Sequence, residues 1–125
     1  MMTEGKIMNA PVKIRVFEVI GANIGVSSED GGAVFDKLQV ALKAGQYVDL
    51  DFTGIDMLIS AFLNAAVGKL VEHLSIEEIH KHISFSGMEE GDRELLDKVL
   101  ENAVRYYADP DRFRKLLEME DADEE

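Results

Sequence analysis

The stretch that decides the fold is Tyr47–Leu70, which reads YVDLDFTGIDMLISAFLNAAVGKL. Its first part, Tyr47–Phe52, alternates apolar and polar side chains, the pattern of a strand with one buried face, and places Asp49 and Asp51 on the polar face. A Thr-Gly turn follows, and the apolar residues after it predict a helix that begins around Ser60. We therefore expect the strand to lie inside a sheet, with a neighbour on each side, and its two carboxylates to find hydrogen bonds or reach the rim.

The predicted helix spans Ser60–Leu74 and is apolar on almost every side. Its polar or small interruptions Ser60, Asn64 and Gly68 are four residues apart, so they form one narrow stripe. Ser60 is expected to be the N-cap or a first-turn serine of this helix, a structural role worth about 1 kcal/mol. The same position also exposes a hydroxyl to modification, and the residue types alone favour the cap.

Strands and helices alternate through the rest of the chain, the order typical of an α/β domain. The further predicted elements are a strand over Val12–Ile20, a short strand within Gly21–Val26, a helix from Ser27 or Ser28 to Lys43, a short polar segment over Ser75–Lys81, a strand over Ile83–Ser86, an amphipathic helix over Asp92–Tyr107 and a terminal helix over Asp109–Leu117. We expect the amphipathic helix to pack on the domain itself, since a free face of that size would aggregate or dock.

The 125 residues predict one domain. We expect a flexible N-terminus over residues 1–11, the folded domain over residues 12–117 and a frayed acidic tail over residues 118–125. The fold class is a small α/β sandwich, in which a mixed or parallel central sheet of about four strands packs with helices and a C-terminal helical pair.

Two segments resemble a known family. The run Asp51–Ile55, DFTGI, and the run Ile59–Leu63, ISAFL, are similar to the STAS-like domain family and more distantly to the STAS domain of anti-sigma factor antagonists. In those antagonists a serine at a helix start is phosphorylated by a histidine-kinase-like ATPase, and Ser60 falls on that serine. Ile59 stands where they carry an acidic residue, and Ala61 stands where they carry Ser or Thr.

Composition narrows the classes of partner. The formal net charge is −12 and the pI is near 4.6, so neither nucleic acid nor an anionic membrane is an expected partner. With no cysteine, disulfides and thiolate chemistry are excluded. No signal peptide or long apolar run is visible, and a cytoplasmic location is expected.

Sequence patterns for catalysis and for cofactors are weak. The glycines between Gly21 and Gly32 match neither phosphate-loop motif, and no Gly-x-Ser-x-Gly elbow is present. His73, His80 and His82 lack a recognisable third ligand and second shell, so no metal site is predicted. Asp51 resembles the aspartate of a receiver domain only in its place on the strand, because no acidic pair follows the first strand.

We therefore predict a non-enzymatic regulatory interaction module without a cofactor, which by resemblance binds a histidine-kinase-like ATPase. Ser60 is the candidate phospho-acceptor, and phosphorylation is expected to expel an acidic or apolar partner. The predicted interaction surface consists of Asp51, Thr53, Asp56, Phe62, Leu63 and Asn64.

Two alternatives remain open at this stage. The chain could be an enzyme or a small-ligand binder with a polar pocket at the end of the Asp49–Asp51 strand, holding Asp51, Thr53 and Asp56. It could also be a structural subunit that forms a homo-oligomer through Phe62, Leu63 or Val67.

Overall fold

The structure is a computed structural model and describes residues 11–108. Its elements follow in the order β1 (Val12–Arg15), α1 (Val16–Ile20), β2 (Ile24–Gly25), α2 (Ser28–Lys43), β3 (Val48–Asp51), β4 (Met57–Leu58), α3 (Ser60–Ala66), a 3₁₀ helix (Gly68–Glu72), α4 (Ile76–His82), β5 (Ile83–Ser86) and α5 (Glu90–Ala108). The predicted terminal helix and acidic tail, and residues 1–10 of the predicted N-terminal segment, lie outside the described residues.

The main sheet has three parallel strands in the order β1-β3-β5. Val48 lies opposite Val12 on one side and Ile83 on the other, so the strand predicted to be central is central. Its residues Val48 and Leu50 are buried in the core. Within residues 11–108 this sheet has three strands, and β2 and β4 pair with each other in a separate parallel sheet of two strands. The predicted small α/β fold with a parallel central sheet is confirmed.

Helix α2 packs on β1 and β3 of the main sheet, and helix α3 packs closely on α2. Gly31 of α2 makes this approach possible, since a Cβ at this position would overlap the carbonyl oxygen of Phe62 and lie 2.9 Å from the Cβ of Ala65. The α2 helix begins after Ser27, whose hydroxyl accepts a hydrogen bond from the Asp30 amide at 3.0 Å. This cap and the end of the helix at Lys43 agree with the sequence prediction.

The C-terminal helix α5 packs against α3 and the 3₁₀ helix. Its predicted apolar face is confirmed through four residues in contact with the core: Leu95, Leu96, Val99 and Leu100. Val104 is an exception, because it is 40% exposed. The helix covers the core of its own chain, as predicted.

The predicted strand over Val12–Ile20 is too long. Strand β1 ends at Arg15, and the residues that follow form the short helix α1, which ends at Gly21 with φ +68°. The β-branched residues of this segment favour a strand locally, but the helix buries Val16 completely in the core. Tertiary packing therefore overrides local propensity here.

The predicted helix over Ser60–Leu74 is interrupted. Helix α3 ends at Ala66, Val67 adopts φ −130° and ψ −24°, and a 3₁₀ helix follows. At the break Gly68 approaches Asn64 so closely that an added Cβ would lie 2.6 Å from the Asn64 Oδ1. Apolar periodicity cannot reveal this break, because residues on both sides of it are buried.

The predicted polar segment Ser75–Lys81 is a full helix, α4. It starts with a capping box, in which the Ser75 hydroxyl accepts from the Glu78 amide at 3.0 Å and the Glu78 carboxylate accepts from the Ser75 amide at 2.9 Å. The strand predicted over Ile83–Ser86 follows with those bounds. Among residues 11–108, no helix combines the length and the apolar character needed to cross a membrane.

Candidate functional site

The carboxyl end of the central strand carries Asp51, which is almost entirely buried. Its Oδ1 accepts hydrogen bonds from the Thr53 amide at 2.9 Å and from the Thr53 hydroxyl at 2.6 Å. The Lys13 Nζ lies 3.7 Å from the Asp51 Oδ2 and 3.6 Å from the Asp49 Oδ2. Both carboxylates of the strand thus find partners at the rim, as predicted.

These contacts change the acidity of Asp51. The Thr53 hydroxyl is the largest cause of the change and the Thr53 amide the second, and both lower the pKa of Asp51 below its ordinary value of 3.8. Burial acts in the opposite direction, while Lys13 and Arg15 add smaller lowering effects. The carboxylate is therefore held in its charged form.

We expect Asp51 to contribute to stability above its unfolded pKa and to lose this contribution as the pH falls through its lowered folded pKa. Thr53→Val removes the hydroxyl donor, so it should raise the pKa of Asp51 toward 3.8 and reduce the acid-side loss of stability. Carboxyl ¹³C titration of both proteins, with urea unfolding at each pH, measures the two effects. A wild-type Asp51 that titrates at or above 3.8 would contradict the assignment.

Two loops meet beside this strand end. The Asp56 amide donates to the Asn23 carbonyl at 2.7 Å, and the Asn23 side-chain amide donates to the Asp56 Oδ2 at 2.9 Å. These reciprocal bonds hold the loop before β4 against the loop before β2. They explain how strands of only two residues each remain paired.

The β2–β4 pair presents an exposed apolar surface. Gly25 and Leu58 face inward, where a Cβ on Gly25 would touch both Leu58 and Phe62. By the alternation of extended chain, the residues on either side of these two face outward. We call them the apolar ridge, and they are between 36% and 53% exposed: Ile24, Val26, Met57 and Ile59.

Ser60 directly follows the ridge residue Ile59 and is the first residue of α3. The N-cap position belongs to Ile59, which has φ −124° and ψ 164° and makes no side-chain cap. The Ser60 side chain is exposed. Ser60 therefore lies at the exposed start of the helix, as predicted, and of the two expected positions it occupies the first turn and not the N-cap.

The family model described as a STAS-like domain of unknown function (DUF4325) matches residues 30–93, just over half of the 125-residue chain. The chain belongs to this STAS-like family. No curated protein and no solved structure matches it. The sequence resemblance to STAS-like domains is thereby confirmed.

Several residues predicted on the interaction surface of the STAS-like domain lie elsewhere. Phe62 and Leu63 are fully buried, because α3 packs against α2 and Phe62 lies against Gly25 of β2. Their prediction as surface residues is wrong. Val67 is also fully buried, so the three side chains named for the alternative of an oligomer interface are all in the core.

The other predicted surface residues fall into two places. Thr53 and Asp56 are exposed near the strand end, with Asp51 buried beneath Thr53. Asn64 lies away from them, in a cleft of about 510 Å³ between α3 and α5 that Tyr106 and Tyr107 also line. The predicted surface is therefore divided between two sides of the STAS-like domain.

The polar pocket expected at the strand end is small. A cavity of about 270 Å³ is lined by Arg15, Phe17, Glu18, Asp51 and Thr53, without Asp56. This volume is just below the range typical of small-molecule sites, about 300–1,000 Å³. The geometry gives little support to the expected ligand pocket at this place.

Each of the three histidines of the STAS-like domain contacts a different side chain. His82 stacks on Tyr47 with ring centroids 5.4 Å apart, and His80 meets the edge of Phe85 at 5.8 Å. His73 lies 3.9 Å from the Glu72 carboxylate. Within residues 11–108, no three His, Cys, Asp or Glu side chains are grouped to hold a metal ion.

Sequence reasoning missed the apolar ridge. The alternation of Ile24, Gly25 and Val26 was visible as a short strand, but nothing in it indicates that the apolar residues face solvent. The signal that could have found the ridge is the glycine between them, since Gly25 can face the core only if its neighbours face out.

Proposed function

We propose that this STAS-like domain is a non-enzymatic regulatory module that binds a protein partner through the apolar ridge, with Ser60 as a phosphorylatable switch. By resemblance, the partner is a histidine-kinase-like ATPase, which also acts as the kinase. The observation that carries the proposal is the position of an exposed serine directly after Ile59, at the end of a continuous apolar surface.

The ridge provides the driving force for binding. Each of its four side chains is between 36% and 53% exposed, and full burial of such a side chain is worth about 1.5–3 kcal/mol. Covering the remaining exposed surface of the ridge therefore supplies a few kcal/mol, which is appropriate for a reversible regulatory contact.

Phosphorylation of Ser60 would oppose that contact. A phosphoserine carries about −1.5 to −2 charges at neutral pH, and neither Gly21–Asp30 nor Thr53–Ala66 contains a Lys or Arg to neutralise them. Helix α3 has only seven residues, so its dipole offers little compensation. Burial of this charge against an apolar partner would be costly, and the partner would dissociate.

A pull-down from the native host, analysed by mass spectrometry, tests partner and modification together. Wild type and Ser60→Ala should capture the same ATPase, and Ser60→Asp should capture much less of it. Ser75→Asp is the matched control, because Ser75 is also an exposed serine at a helix start and its helix α4 packs on β5 and the 3₁₀ helix. The phosphorylated peptide should contain Ser60.

Two results would contradict the proposal. Equal capture of the ATPase by wild type and by the Ser60→Asp variant would contradict the role of Ser60 as a switch. Equal loss of capture in the Ser75→Asp variant would show that any added negative charge weakens binding, wherever it lies.

A further inference from the structure

The cleft between α3 and α5, with a volume of about 510 Å³, is large enough for a small molecule. Its floor follows one side of α3 and the 3₁₀ helix, where Ala61, Ala65 and Gly68 have at most a methyl group as side chain. The cleft exists because these three residues are small. Its volume is within the range of about 300–1,000 Å³ that is typical of small-molecule sites, whereas the cavity at the strand end is below it.

An aromatic wall forms one side of the cleft. The half-buried Tyr107 lines it together with Tyr106, and the two rings meet edge to face with their centroids 4.9 Å apart. This contact holds the Tyr107 ring in one orientation, against which a planar ring can pack.

The surroundings of Tyr107 indicate which end of a ligand can lie beside it. Burial is the largest cause that raises the pKa of Tyr107, and the Glu72 carboxylate is the second. The phenol therefore stays neutral at physiological pH. A second anion beside Glu72 would be repelled, so the uncharged end of a ligand is favoured at this end of the cleft.

The opposite preference applies at Lys69. Among residues 11–108, Lys69 is the only charged residue that lines the cleft, and it forms no ion pair with a carboxylate of this part of the chain. Its Nζ lies 4.9 Å from the centroid of the Phe35 ring, a cation–π contact that leaves N–H donors of the ammonium for a ligand. Because the whole chain has a net charge of −12, Lys69 would hold an anion by direct contact rather than attract it from a distance.

An amide on the floor supplies a polar contact between these two ends. The Asn64 Oδ1 lies against Gly68, so close that a Cβ added there would be 2.6 Å away. The side chain of Asn102, on the wall formed by α5, already accepts a hydrogen bond from the Arg105 Nη1 at 2.9 Å. Within the described part of the chain the Asn64 amide has no such partner, and it can both donate to and accept from a ligand.

We propose that this cleft binds a planar heteroaromatic acid, with its carboxylate on Lys69, its ring against Tyr107 and a polar ring atom on the Asn64 amide. Charge sets this orientation, because the acid group is favoured at Lys69 and disfavoured near Glu72. The ligand is bound and not chemically changed. The site does not involve the apolar ridge or Ser60, so it stands or fails independently of the function proposed above.

The test titrates nicotinate, a simple member of this class, into the full chain and follows the ¹H–¹⁵N spectrum. Saturable shift changes should centre on Asn64, Gly68 and Asn102. Nicotinamide has the same ring without the charge, and cyclohexanecarboxylate has the charge without an aromatic ring. Each should bind at least about fivefold more weakly than nicotinate, as expected when one charged or ring contact is lost.

A charge-removing variant identifies the group that binds the carboxylate. Lys69 is exposed, so Lys69→Gln should fold normally, bind nicotinate at least about fivefold more weakly and leave the affinity for nicotinamide unchanged. Lys43→Gln is the matched control, because it removes the same charge at the end of α2 that lies opposite to the cleft-lining Ser28. It should bind both compounds as wild type does.

A variant of the floor tests the polar contact. Asn64 is exposed, and Asn64→Leu removes its amide while keeping a side chain of similar size. This variant should bind both nicotinate and nicotinamide more weakly than wild type, because both compounds carry the ring nitrogen.

Four results would overturn the proposal. They are the absence of saturable shift changes at millimolar nicotinate, shift changes centred outside the cleft, equal affinities for nicotinate and nicotinamide, and equal losses of nicotinate affinity in Lys69→Gln and Lys43→Gln. Wild-type affinity of Asn64→Leu for nicotinate would overturn the assignment of the ring contact.

Discussion

Replacing Phe62 by alanine is expected to lower the free energy of unfolding by about 3–5 kcal/mol. Phe62 is fully buried and lies against Gly25 of β2, so its ring joins the two-stranded sheet to the core. Its loss would leave a cavity under the ridge that the helix backbone cannot close. Urea unfolding, monitored by circular dichroism, measures the change.

Phe17→Ala is the matched control for this prediction. Phe17 is 44% exposed, so removal of its ring should cost about 1 kcal/mol or less. Similar losses for the two variants would contradict the assignment of Phe62 to the core. Such a result would instead support the prediction from sequence that Phe62 lies at the surface.

Gly31→Ala is expected to lower the free energy of unfolding by about 1–3 kcal/mol, as overpacking does. The added methyl would overlap the Phe62 carbonyl and lie 2.9 Å from the Ala65 Cβ, and a backbone atom cannot move aside without shifting α3. The cost should therefore fall near the upper end of this range.

Gly32, the neighbouring glycine, provides the control, because its replacement by alanine is expected to change the free energy of unfolding in the opposite direction. Apart from the adjoining turns of α2, no atom of residues 11–108 lies within 4 Å of the position that a Cβ on Gly32 would occupy, so Gly32→Ala should raise the free energy of unfolding by about 0.5–1 kcal/mol through helix propensity. The same urea experiment measures both. If Gly31→Ala also stabilised the protein, the close packing of α2 on α3 would be contradicted.

The sequence predicted the central sheet well because its signals are local. Val48, Leu50 and the two aspartates alternate without interruption, and an alternating strand needs one buried and one polar face. The strand over Ile83–Ser86 followed from the same pattern, and the start of α2 followed from its serine cap. In each case a few adjacent residues contain the information.

Other features depend on contacts between distant residues, which no local pattern contains. Val16 enters a helix because the core needs it there, although its neighbours favour a strand. Phe62 and Leu63 looked like surface candidates because α3 is apolar all round, and only packing decides which side faces solvent. The site was predicted in part for this reason: Ser60, Thr53 and Asp56 are exposed as expected, while the apolar ridge was missed.

We propose that the ridge and Ser60 form one phosphorylation-sensitive binding surface. Its most direct test is the affinity of the captured ATPase for the Ser60→Asp and Ser75→Asp variants, measured by calorimetry against wild type. We predict that Ser60→Asp weakens binding by at least about tenfold, or about 1.4 kcal/mol, and that Ser75→Asp leaves the affinity unchanged. Equal affinities of the Ser60→Asp variant and wild type would contradict a switch at Ser60.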